Sequence, residues 1–124
     1  HIEALTLIDM MNREVVPAIT AYTDLLCTAV LNKNSIGGIN STVEREIIAR
    51  LSAANKEIFT LTGELKMAVS SAERTKDIIE KATVYHDSIL KIMGDIRKYA
   101  DSAESVVPSD YWPYPSYGDL LFNI

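Results

Sequence analysis

Apolar residues recur at spacings of three and four in three successive stretches of the chain. The first seam is Leu5, Ile8, Met11, Val15, Ile19, Tyr22, Leu26 and Ala29; the second is Ile47, Leu51, Ala54, Ile58, Leu61, Leu65 and Ala68. The third runs Ile78, Ala82, Tyr85, Ile89, Ile92, Ile96, Tyr99, Ala103 and Val106. That spacing places each set on one face of a helix, so helices are predicted over about 2–32, 42–69 and 72–106. Pro17 lies inside the first, where it lacks a donor and crowds the carbonyl of Arg13; because the seam stays in phase on both sides, a kink is expected rather than a break.

Gly37 and Gly38 mark a loop after Leu31, and Ser41 with Glu44 has capping-box spacing for the second helix. Ser70 with Glu73 has the same spacing and predicts the boundary between the second and third. Pro108 stops the third. Gly63 falls within the second seam, where it weakens the helix by about 1 kcal/mol relative to alanine without ending it.

Three long helices with short connections predict an all-α fold, an antiparallel up-down-up bundle over 1–107 followed by an extended arm over 108–124. Small seam residues such as Ala54 and Ala82 allow close approach. Met10, Val16, Leu25, Val30, Ile48, Phe59 and Ile79 lie outside the seams and call for cover by another helix, by the arm or by a second subunit.

A chain of 124 residues, 48% apolar, is one domain able to bury a core. Uninterrupted apolar runs are only a few residues long, so no membrane span and no signal peptide is expected. Cys27 is the single cysteine, which excludes an internal disulfide and fits the cytoplasm. The net charge is −5, from 12 basic and 17 acidic residues interspersed along the helices, which argues against a nucleic-acid partner. His1 enters the helical pattern at once, so the chain is expected to be a piece of a larger polypeptide.

Candidate chemistry is sparse. His86 and Asp87 are neighbours in sequence and diverge by about 100° on a helix, so no oriented base–carboxylate pair is expected. Glu44, Glu46, Glu73 and Asp77 alternate with Arg45, Arg50, Lys76 and Lys81 as a solvated face, and no Glu-x-x-His repeat suits a metal bundle. Cys27 beside Leu26 reads as a buried, inert thiol. The Asn40-Ser41-Thr42 sequon has no secretory context, and Gly37-Gly38 lacks the lysine of a phosphate loop. No catalytic, cofactor-binding or metal residue is assigned.

The tail is different. Five of the nine aromatic residues fall within Tyr111–Phe122, Tyr-Trp-Pro-Tyr-Pro-Ser-Tyr-Gly-Asp-Leu-Leu-Phe. Pro113 and Pro115 fix their own φ and favour extended neighbours, so a stiff docking arm is expected. Its anchors are Tyr111, Trp112, Tyr114, Tyr117, Leu121 and Phe122, since large aromatic and aliphatic groups carry most docking energy. The surface they meet is either their own bundle or a neighbouring subunit.

This tail resembles the C-terminus of type III glutamine synthetases, the long-subunit bacterial branch of that ligase family. Ile2-Glu3-Ala4, Val16-Pro17-Ala18, Ile92-Met93 and Ala100-Asp101-Ser102-Ala103-Glu104 extend the likeness upstream over essentially the whole chain. Tyr114 and Ser116 stand where Phe and Thr are commoner, a change of packing detail. The resemblance implies an enzyme of nitrogen metabolism that makes glutamine from glutamate and ammonia with ATP and Mg, in a homo-oligomeric ring. It also implies that the metal and nucleotide sites lie upstream, and that this region props the catalytic fold and contacts the rest of its subunit and the neighbours. A stand-alone helical interaction module with an aromatic tail is the alternative.

Overall fold

The computed structural model describes residues 2–114. They form three long helices, α1 (Ile2–Ile36), α2 (Thr42–Arg74) and α3 (78–104), with no strand among the described residues. The all-α class and the three helices expected from the sequence are observed.

α1 is interrupted by a π turn, Met11–Val15, between α-helical stretches Ile2–Met10 and Val16–Ile36. The Val16 amide donates to the Met11 carbonyl, one residue further back than in an α-helix. Widening the turn just before Pro17 relieves the ring's clash with the preceding carbonyl and absorbs its missing donor. A local π turn is thus the form that the expected disturbance takes. Gly37 and Gly38 close α1 with φ of 84° and 71°, in the left-handed region that glycine enters without steric cost.

One expectation fails in α1. An 18-residue window in this helix reaches a mean hydropathy of 1.4 with only 17% of the window buried, enough by length and composition to cross a membrane. Uninterrupted runs missed it because the breaks between apolar residues are mostly uncharged. Thr20, Thr23 and Thr28 each donate their hydroxyl to a backbone carbonyl one turn back, at 2.9–3.1 Å, and so offer little polarity to the surroundings. A core helix meets the same criterion.

The caps also differ from expectation. Ser41 is the N-cap residue of α2 but makes no capping bond: its Oγ accepts from Arg45 Nε at 2.9 Å, and the side chain of Asn40 before it accepts from the Thr42 amide at 2.8 Å. Glu44 turns away to accept from Lys33 Nζ at 2.8 Å. α2 runs past the expected end at 69 to Arg74, since no residue among Ser70–Glu73 breaks a helix. Thr75 and Asp77 are extended, and Asp77 caps α3 by accepting from the amides of Ile79 and Glu80 at 2.8 and 3.3 Å. α3 therefore begins at 78, not 72, and ends at Glu104; a second π turn, Tyr85–Ile89, lies within it.

α2 packs against both other helices. The core is made by Ala4, Leu7, Ile8, Met11, Val15 and Ile19 of α1, Leu51, Ile58, Leu65, Val69 and Ala72 of α2, and Ile89, Met93, Ile96, Ala100 and Ala103 of α3. Each large side chain buried there contributes about 1.5–3 kcal/mol. Thr62 is the buried polar exception, its hydroxyl satisfied by the Ile58 carbonyl at 2.6 Å. Both ends depart from the predicted seams. Ile78 is 83% exposed and no residue of Ile78–Val84 is buried, because the extended linker leaves the start of α3 off the core. At the other end Val30 is the only buried residue of α1 beyond Ile19.

Candidate interaction surface

After Glu104 the chain does not extend at once. Val106 and Val107 donate to the Ala103 carbonyl, Tyr111 donates to Pro108 and Trp112 to Ser109, so 105–112 is a run of turns. Ser109 and Asp110 supply the turn chemistry that outweighs the stiffness expected of a proline-rich arm. The turns deliver Val107, Trp112 and Tyr114 to the core, Val107 buried and the two aromatics half-buried.

The receiving surface is a groove between the first turns of α1 and the last turns of α3. Leu7, Met10, Met11 and Val15 form one wall, with Ala100 and Glu104 on the other, around a cavity of about 280 Å³ roofed by Trp112 and Tyr114. Tyr111 reaches further along α1 and meets Tyr22 with ring centroids 5.3 Å apart and planes inclined at 51°, a favourable tilted arrangement. Tyr22 carries the first seam, but nothing in its spacing names Tyr111 as its partner. Met10, one of the apolar positions outside the seams that call for cover, and its neighbour Met11 give this wall an adaptable surface.

The Tyr114 hydroxyl is enclosed without a hydrogen-bond partner. Burial raises its pKa, and the Glu14 and then the Asp9 carboxylates add to the shift by opposing a phenolate. Glu14 is near enough to act through its charge, but no bond of proper geometry joins the two. Tyr117, Leu121 and Phe122, the remaining expected anchors, lie outside the described residues.

Two minor readings change. His86 Nδ1 and Asp87 Oδ1 approach to 3.2 Å, contrary to the divergence expected of adjacent helical residues; the π turn that carries them alters the spacing. Both side chains are open to water, so the pair is weak. Cys27 is exposed, not buried, because α3 does not reach that level of α1. Among the described residues no group of three or more His, Cys, Asp or Glu could hold a metal ion.

No protein-family model matches the chain. Among curated proteins it is 30% identical over 125 residues to a glutamine synthetase of Butyrivibrio fibrisolvens, all of this chain aligning with 18% of that protein. It is 25% identical to a glutamine synthetase of Bacteroides fragilis and 26% identical to the type-3 glutamine synthetase of Dictyostelium discoideum, covering 99% and 98% of this chain and 18% and 17% of those proteins. The chain thus spans under a fifth of the length of these relatives. The resemblance drawn from the sequence is borne out.

Proposed function

We propose that this chain, similar from end to end to a segment of type III glutamine synthetases, is the C-terminal structural and assembly region of such a ligase. The carrying observation is the coverage: nearly every residue aligns with the relatives while more than four-fifths of each relative lies elsewhere. In the whole enzyme ATP and Mg would drive amide formation from glutamate and ammonia. The residues described here offer no cluster suited to that metal, and no step of the chemistry is assigned to them.

The region's work is mechanical. Asn55 donates to Thr20 and Lys33 to Glu44, a register in which rising numbers on α1 meet falling numbers on α2. Arg97 lies beside Leu7 and Glu104 near Val15, so α3 runs back alongside α1. We read this as an antiparallel up-down-up bundle closed by the aromatic arm, which straps its own α1–α3 groove through Trp112 and Tyr114. The remaining apolar surface then serves the rest of the subunit and its neighbours in a cytoplasmic homo-oligomeric ring.

The test compares the full-length enzyme with a version that lacks the whole of this region. The isolated chain should be strongly helical by circular dichroism and form no glutamine from glutamate, ammonia, ATP and Mg. The truncated enzyme should lose ring assembly, read by analytical ultracentrifugation. Turnover by the chain alone, or a truncated enzyme that still assembles normally, would refute the proposal.

A further inference from the structure

The outer face of α2 breaks the even mixing of charge expected from the composition. Arg45, Lys56, Lys66 and Arg74 stand eleven, ten and eight residues apart, and at about 100° per residue they fall within about 80° of one another on one face, turned away from Leu51, Ile58 and Leu65. All four are exposed, and Lys56, Lys66 and Arg74 form no ion pair among the described residues. Glu46, Glu57 and Glu64 fall outside this face, Glu44 is held by Lys33, and Glu73 at its margin is engaged in a contact of its own.

Between these cations lie large apolar groups with nothing over them. Phe59 is 65% and Met67 73% exposed, and Ile48 opens onto a shallow apolar groove shared with Val30 and Leu31 of α1. Gly63 sits at the middle of the same face. A Cβ there would meet nothing within 4 Å, so no packing among the described residues accounts for a glycine that weakens the helix. A bare backbone flanked by exposed aromatic and thioether groups is what a second helix needs to approach closely.

We propose that this face of α2 is the seat of an acidic amphipathic helix, which crosses closely at Gly63, covers Phe59 and Met67 and places carboxylates opposite Lys56 and Lys66. Charge complementarity selects the partner: an apolar strip alone would accept any helix, whereas four cations on a face whose carboxylates stand only at or beyond its margins favour an acidic one and repel a basic one. Nucleic acid fits poorly. A duplex presents a charge about every 1.7 Å, whereas cations eight to eleven residues apart on a helix stand roughly 12–16 Å from one another.

The seat goes beyond the assembly role proposed above and does not require it, because its test involves no ligase activity. Binding of the chain to a fluorescently labelled peptide, a Leu/Glu helix with glutamates on the flanks of its apolar stripe, is measured by anisotropy against the same peptide with Lys in place of Glu. The acidic peptide should bind at least about tenfold more tightly, and Lys56→Glu with Lys66→Glu should abolish that preference. Phe59→Ala should weaken binding about tenfold. Gly63→Ala should raise the melting temperature of the free chain while weakening binding, a pair of opposite signs that a merely structural glycine would not give. Equal binding of both peptides, variants that bind like the parent chain, tighter binding to duplex DNA or anionic vesicles, or a dimer by sedimentation that blocks the peptide would each overturn it.

Discussion

Two halves of α1 carry the same apolar period, yet only one of them is sealed. From Ile8 to Ile19 the seam is enclosed by α2, α3 and the turns that bring in Trp112. Beyond Tyr22, which Tyr111 covers, the seam packs on α2, and Leu26 and Ala29 stay only partly buried, while Leu31 and Ile36 beside it are 67% and 73% exposed. The difference teaches that a periodic seam fixes which face of a helix is apolar, whereas burial depends on a third surface arriving opposite it. A pair of helices covers only a narrow line of contact. Three are needed to enclose a side chain on all sides.

The strongest way to break this comparison is to truncate one side chain in each half. Ile19→Ala, at a fully buried position, should cost about 2–5 kcal/mol in urea unfolding, whereas Leu31→Ala should change stability by less than about 0.5 kcal/mol. Equal costs would mean that the hairpin tip is covered in the isolated chain. Trp112→Ala tests the roof of the closed half. A half-buried indole should be worth about 1–3 kcal/mol, read as a lowered urea midpoint in the isolated chain, and no shift would remove the arm from the closed half.

Gly63→Ala should stabilise the free chain by about 0.5–1 kcal/mol, because the added methyl meets nothing and helix propensity improves. A loss of stability would mean that the outer face of α2 is already occupied. Tyr114→Phe should leave stability at neutral pH unchanged or raise it, since the enclosed hydroxyl it removes has no hydrogen-bond partner among the described residues to offset its desolvation. Its effect should emerge in alkali. The folded state keeps the Tyr114 proton above the ordinary value of 10.0, the unfolded state releases it there, and stability therefore falls as pH rises beyond that point. The Phe variant should show a smaller alkaline loss in thermal melts.

The smallest effect belongs to the open half. Lys33, by hydrogen bond and charge, holds the Glu44 carboxyl below its ordinary value of 4.5, against a smaller opposing effect of burial. The contribution is present above that value and is lost as pH falls through the lower folded one. The pair is covered by its own hairpin and not by a deep core, so water screens it and salt should weaken it. An NMR titration of the Glu44 side chain should shift towards 4.5 in the Lys33→Met variant; an unchanged midpoint would discount the contact.

The sequence by itself determined the three helices, the Gly37-Gly38 stop and the faces that Leu51, Ile58, Leu65, Ile89 and Ile96 bury, because those follow from local geometry repeating every 3.6 residues. It also carried the likeness to glutamine synthetases, through motifs readable without coordinates. Where α3 begins was not legible: Ser70–Glu73 and Asp77 both have cap chemistry, and only the assembled structure chose the latter. Nor could it tell that Cys27 would be exposed, that Ile78 would leave its seam or that Tyr111 would meet Tyr22. Those outcomes depend on the angle at which an extended three-residue linker returns the chain and on how far each helix overlaps the next. Such quantities arise from contacts between residues distant in sequence, and no local pattern encodes them.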